Sequence, residues 1–250
     1  MTTNLPPPRY PVVLIPARLA ATRLPGKPLI DIAGQPMILH VWRRAMEADV
    51  GPVVVATCDR EIALVVRAAG GQAQLTGSGH ESGSDRIAEA LALIDPDCRY
   101  DAVVNVQGDL PVLEPETIRA PLALLSDPAV DIATPVAVAA PDERDNPNVV
   151  KAIFEPSGPR RGRALYFTRL PGPGGPGDCY HHIGLYAYRR AALDAFVAAP
   201  RSVLEQREKL EQLRALALGL HVAVALVDTV PLGVDTQADL ERARFLLEQK

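Results

Sequence analysis

The sequence predicts an α/β fold: a mostly parallel, Rossmann-like sheet carrying a smaller antiparallel insertion subdomain. Three observations predict it. Short apolar runs at residues 12–15, 53–57 and 102–106 alternate with longer segments of helical spacing. Between Asp131 and Arg189 the pattern changes to strand-like runs with no long helix between them. Helical spacing then returns before a last apolar run at 222–227. Strands that alternate with helices are covered on both faces and lie parallel, whereas strands that follow one another directly pair antiparallel.

Each element has a local reason. Residues 12–15 form a wholly apolar run closed by Pro16, which reads as a buried strand. Helical spacing covers 37–48, a second buried strand 53–57, and a second helix 60–69. Residues 84–94 read as a helix with Ser84 as N-cap, and 102–106 as a third buried strand. The helix at 114–125 has acidic residues in its first turn, where the helix dipole favours them. Insertion strands are expected at 132–138, 149–154, 164–168 and 183–188, and helices at 191–198 and 204–218. A strand at 222–227 precedes a closing helix after Thr236, and Thr236 with Asp239 resembles a capping box. The 250 residues thus read as a single domain, with a core at about 10–130 and 200–250 and a subdomain at about 131–199.

Composition narrows the function classes. The net charge of -4 gives no basic field for nucleic acid, and 4% aromatics leave few platforms for stacking bases. An anionic ligand must therefore be held by local clusters of Arg and Lys. Cys58, Cys98 and Cys179 are scattered and form no metal-binding spacing, which predicts a reduced, cytoplasmic setting. The opening MTTNLPPPRYP lacks the charged-then-apolar order of a signal peptide. No apolar run approaches the roughly 20 residues of a membrane helix, so no membrane span is expected.

Open parallel sheets bind ligands beyond the carboxyl ends of their strands, and the sequence concentrates its chemistry there. The first string is I-P-A-R-L-A-A-T-R-L-P-G-K-P-L at 15–29, with Arg18, Arg23 and Lys27 on one loop. Three cations there can neutralise a polyphosphate, although composition alone favours a solvated basic loop, and the P-loop spacing is absent. The second, H-E-S-G-S-D-R at 80–86, sets small residues before a helix N-terminus, which is an anion seat or simply a capped helix start. The third, N-V-Q-G-D-L-P at 105–111, puts Asp109 at a strand end, where it can hold Mg²⁺ or form a turn. The fourth, G-V-D-T at 233–236, offers Asp235 as a second carboxylate. Three further strings are L-Y-F-T-R ending at Arg169, Y-H-H-I-G-L-Y-A-Y-R at 180–189 and E-K-L-E-Q-L-R at 208–214.

In this order, from about residue 11 to 248, these strings resemble the 3-deoxy-manno-octulosonate (KDO) cytidylyltransferase family of sugar nucleotidyltransferases. The resemblance implies a sheet of the nucleotide-diphospho-sugar transferase type and conversion of CTP and KDO to CMP-KDO and pyrophosphate, which feeds lipopolysaccharide synthesis. It implies Mg²⁺ on Asp109 and Asp235, with Lys27 and Arg18 joining them in catalysis. Nucleotide contacts would come from Pro16, Ala17, Arg18, Arg23, Lys27, Ser82, Gly83, Arg86 and Gln107. Arg169 would pair with the sugar carboxylate, a match for the guanidinium fork. His182, Tyr186, Glu211 and Gln212 would hydrogen-bond the sugar hydroxyls. The residues by themselves favour blander roles here: Tyr186 as core and Glu211 on a solvated helix face. The family also implies a homodimer formed through the smaller subdomain. The chain departs from the family pattern at Cys58, Leu110, Val203 and the loop 170–178. Two alternatives share most of these motifs: an enzyme for a related acidic sugar, such as sialic acid or amino-KDO, and a non-catalytic nucleotide sensor. A sensor is expected to lose a metal carboxylate or the loop lysine, and this chain keeps Asp109, Asp235 and Lys27.

Overall fold

The computed structural model describes residues 7–20, 24–173 and 176–249. The chain divides into two compact units. The first comprises Arg9–Ile118 with Pro231–Lys250, and the second is built on Arg119–Val230. Among the described residues no helix is long and apolar enough to cross a membrane.

The first unit starts with β1 (Pro11–Ala17), a short antiparallel pair β2 (Asp31–Ile32) and β3 (Gln35–Pro36), then α1 (Met37–Glu47), β4 (Val53–Thr57), α2 (Arg60–Ala68), β5 (Gln72–Leu75), α3 (Gly83–Ile94) and β6 (Ala102–Asn105). β1 lies between β4 and β6 and is parallel to both, and β5 lies parallel on the outer side of β4. Val12 to Ile15 are completely buried, which is why they read as an unbroken apolar run rather than an alternating one. The polar β5 was not expected. It sits beside β4 with its side chains only partly covered, so it needs no apolar run. The chain goes from β1 to β4 on one side and returns from β5 to β6 on the other. The strand order therefore reverses between β1 and β6, and the crevice beyond their carboxyl ends is a topological switch point. Ser82, not Ser84, caps α3, because its hydroxyl accepts the Asp85 N–H at 3.1 Å. Ser84 is instead buried inside the first turn.

After α4 (Pro115–Leu124) come β7 (Ile132–Val138), β8 (Lys151–Gly158), β9 (Arg161–Thr168), β10 (Tyr180–His182), β11 (Tyr186–Arg189), α5 (Arg190–Ala198), α6 (Val203–Glu208), α7 (Gln212–Ala217) and β12 (Val222–Leu226). Pairings run β10–β8, β8–β9, β9–β12 and β12–β7, and β10 also pairs with β7, so the ladder closes on itself. β11 lies antiparallel on β7. Only β12–β7 is parallel in this set. The strand at 222–227 and the helical stretch at 204–218 before it were expected in the core of the fold. They belong to the second unit, because β12 is hydrogen-bonded between β7 and β9 and α7 packs on β9.

Two expected elements of this unit differ from expectation, one shortened and one broken in two. Of the strand expected at 183–188 only the second half forms, as β11, and β10 lies before it. The Thr134 hydroxyl, 3.1 Å from the Ile183 carbonyl and 2.7 Å from that of Leu185, holds a bend between the two. The helix at 204–218 breaks at Lys209, which is left-handed at φ 55°. A buried ion pair spans that break: Arg214 donates to both Glu205 oxygens, at 2.8 and 2.6 Å. Burial opposes ionisation of Glu205, but the Arg214 hydrogen bonds and charge outweigh it and hold its pKa below the ordinary value. α8 (Gln237–Glu248) then returns to the first unit, capped by reciprocal Thr236–Asp239 bonds.

His182 lies inside the second unit, 6% exposed. Its ring meets Phe167 edge-on at 4.7 Å and its Nε2 lies 3.0 Å from the Thr134 hydroxyl. Burial, helped by the neighbouring His181, pushes its pKa down from 6.5 to about 3. The folded protein thus refuses a proton that the unfolded chain takes up below pH 6.5, so stability falls as pH drops from there towards 3. Between pH 6.5 and 5 this group costs the wild type about 1.5 kcal/mol. Urea unfolding at the two pH values measures it, and a His182→Gln variant lacks that increment. Arg214→Met leaves Glu205 buried without its partner and is expected to cost about 3 kcal/mol in the same assay. A Glu205→Leu/Arg214→Met double variant recovers much of that loss.

Candidate active site

At the switch point of the first unit a cleft of ≈ 370 Å³ opens among the segments after β1, β6 and the approach to α8. Its centre is Lys27. The Nζ donates to Asp109 Oδ2 at 2.8 Å and to Asp235 Oδ1 at 2.9 Å. Gly26, left-handed at φ 68°, turns the chain into a short 3₁₀ helix that begins at Lys27. Leu24, Ile32, Met37, Val234, Leu240 and Ala243 form one buried cluster, which brings the loop after β1 against the segment holding Asp235. The Val234 N–H donates to the Asp109 carbonyl at 2.9 Å and fixes the two carboxylates side by side. Burial alone lowers the Lys27 pKa, but the charges and hydrogen bonds of Asp109 and Asp235 together raise it. The lysine is therefore a fixed cation.

Every described residue expected at the nucleotide lines this cleft: Pro16, Ala17 and Arg18 after β1, Lys27, then Ser82, Gly83, Arg86 and Gln107, with Asp109 and Asp235. Arg23 lies outside the described residues. Arg86 is only 2% exposed, and its Nη1 donates to the Thr76 hydroxyl at 2.7 Å and the Gly77 carbonyl at 3.1 Å. The Arg18 guanidinium reaches the His80 carbonyl at 3.4 Å. Gly108 must be glycine: a Cβ there would lie 2.8 Å from the Pro16 carbonyl oxygen. Leu110, the departure from the family string, is buried, and its side chain lies beside Gly233.

Two supporting residues escaped the sequence reading. Asp59, beside Cys58, accepts the Leu19 N–H at 2.8 Å and anchors the loop after β1. Glu89 takes a short hydrogen bond from His80 and accepts the Gly77 N–H. The bond from His80 is the main reason its pKa lies below the ordinary carboxylate value. These bonds tie the 77–80 segment to α3. No local pattern marks them, because the partners are 40, 9 and 12 residues apart.

The donor set fits a magnesium ion that shares its shell with substrate. Two carboxylates meet at one cationic point, and no cluster of three or more His, Cys, Asp or Glu suited to a metal occurs among the described residues. Mg²⁺ characteristically takes one or two carboxylates and completes its shell with phosphate and water.

The residues expected at the sugar all lie in the second unit. Arg169 follows β9 half-buried, with Nη1 on the Pro147 carbonyl at 3.1 Å. Tyr186, Glu211 and Gln212 line a small apolar crevice with Tyr188 and Phe196. His182 stands beside it, its ring 5.6 Å from that of Tyr186. Burial and the nearby Tyr188 and Glu211 push the Tyr186 pKa well above 10, keeping a hydroxyl that can donate. Glu211 is near Arg214 at 3.7 Å, so it is tied into the packed helix pair rather than to a solvated face.

A family profile described as cytidylyltransferase matches residues 12–222. A 3-deoxy-manno-octulosonate cytidylyltransferase of Rhodospirillum centenum is 62% identical over 245 residues, covering 97% of this chain and 95% of that protein. Its counterpart in Methylobacterium radiotolerans is 63% identical over 239 residues, covering 95% and 97%. A solved structure of CMP:2-keto-3-deoxy-manno-octonic acid synthetase complexed with CTP superposes with a TM-score of 0.89 at 39% identity, covering 96% of this chain and 99% of that one. With its parallel sheet, its switch-point cleft and these relatives, the chain belongs to the 3-deoxy-manno-octulosonate cytidylyltransferase family.

Proposed function

We propose that this protein transfers the CMP half of CTP to KDO, releasing pyrophosphate. The observation that carries the reading is the convergence of Lys27 with Asp109 and Asp235 at the switch-point cleft. The family relatives and the CTP complex of a related synthetase support the choice of both substrates.

In this reading the anomeric 2-hydroxyl of KDO attacks the α-phosphorus. The new O–P bond forms as the bond to the bridging oxygen of pyrophosphate breaks. Such transfers depend on positioning and charge neutralisation rather than on a covalent nucleophile. Arg18, Arg23 and Lys27 neutralise the triphosphate, and Lys27 stays charged throughout the neutral range because its pKa is raised. Arg86 braces the 76–77 turn from inside the cleft wall. Pro16, Ala17, Ser82, Gly83 and Gln107 enclose the nucleotide, and the backbone approach at Gly108 leaves no room for a side chain on the wall behind it. Asp109 and Asp235 are assigned to hold Mg²⁺, which when bound supplies charge neutralisation at the phosphates. Arg169 is assigned to the KDO carboxylate, and His182, Tyr186, Glu211 and Gln212 to its hydroxyls. The family resemblance also carries a homodimer and a cytoplasmic setting into this proposal.

Pyrophosphate release by the purified protein is expected with CTP, KDO and Mg²⁺ together, and not with UTP, ATP or GTP in place of CTP. Release with sialic acid or amino-KDO but not KDO would change the sugar and keep the chemistry. CTP binding without release on any acidic sugar would point to a sensor. Asp109→Asn is expected to lower kcat about 100-fold or more, with a melting temperature close to wild type because Asp235 still partners Lys27. A near-normal rate in that variant would remove Asp109 from the site.

A further inference from the structure

Lys151 opens β8 and is completely buried, 0% exposed. A buried ammonium is costly unless its donors are used. This one has three N–H groups and meets three backbone carbonyls: Asn146 at 2.6 Å, Val149 at 2.9 Å and Arg169 at 3.0 Å. Two of these belong to the turn that precedes β8, and the third to the residue that leaves β9. The Arg169 guanidinium, in turn, donates to the Pro147 carbonyl in that same turn at 3.1 Å. Lys151 therefore sets the turn, the backbone of residue 169 and the ledge on which its guanidinium rests. If filling space were the only need, an apolar side chain of similar volume would serve without the desolvation cost.

We propose that Lys151 is the positioning residue for Arg169, fixing the direction of the guanidinium fork that meets the substrate carboxylate. The proposal rests on the reading of Arg169 given above. Loss of the amine frees three carbonyls and lets the 146–149 turn and residue 169 shift together, so the defect falls on the acidic sugar and spares the nucleotide.

Steady-state kinetics on the full chain with CTP, KDO and Mg²⁺ test this, using Lys151→Met, Lys151→Gln and Arg169→Ala. Lys151→Gln keeps a polar end and reports should Lys151→Met fail to fold. The Lys151 variants are expected to raise KM for KDO about tenfold, with KM for CTP within twofold of wild type. Arg169→Ala is expected to raise KM for KDO at least as much. Lys151 variants that lose melting temperature or kcat, but keep the wild-type KM for KDO while Arg169→Ala raises it, would reduce Lys151 to a structural tie. Equal rises in both KM values would also overturn the proposal. An Arg169→Ala variant with unchanged KM for KDO would instead remove Arg169 from the carboxylate site, and the proposal with it.

Discussion

One lysine joins three distant stretches of chain. Lys27 lies on the loop after β1, Asp109 beyond β6 and Asp235 ahead of α8, and they are separated in sequence by 82 and 208 residues. Two carboxylates side by side repel, and a half-buried ammonium loses solvation. Each is tolerable because the other is there. The arrangement dictates much around it. The left-handed Gly26 aims the lysine, the small apolar cluster of Leu24 and Val234 closes the loop, and the Val234–Asp109 backbone bond sets the spacing of the acids.

The second unit solves the problem of buried charge differently. Lys151 and Arg189 are buried and satisfied by backbone carbonyls: Asn146, Val149 and Arg169 for the lysine, and Leu125, Asp127 and Val130 for the arginine. Arg214 combines Glu205 with the Phe196 carbonyl, and stacks on the Phe196 ring at 4.6 Å. Carbonyl acceptors belong to turns and element ends, so each of these cations fastens a place where regular structure stops.

How much of this could be read from the chain follows from the range of the forces involved. β1, β4, β6 and β7 were legible because burial on both faces leaves an apolar run, and the cleft residues because each of their strings follows a strand or opens a helix. β5 was not legible, since an edge strand with partly exposed side chains carries no such mark. The cap of α3 could not be decided locally, because Ser82 and Ser84 are both plausible and only the bond to the Asp85 N–H distinguishes them. The break at Lys209 and the bend before Tyr186 depend on tertiary partners, Arg214 with Glu205 and Thr134 with two carbonyls. Asp59 and Glu89 were missed for the same reason: their work is done across the fold.

The Thr134 hydroxyl has a chemical consequence for its neighbour. It has one hydrogen, and two carbonyl oxygens compete for it within 3.1 Å. With that hydrogen given to a carbonyl, its oxygen takes one from His182 Nε2. The imidazole is thereby locked in a single tautomer, and its depressed pKa keeps it neutral. Nδ1 is left as a lone-pair acceptor. A group that meets it must bring its own hydrogen, which admits an alcohol and turns away an ionised acid.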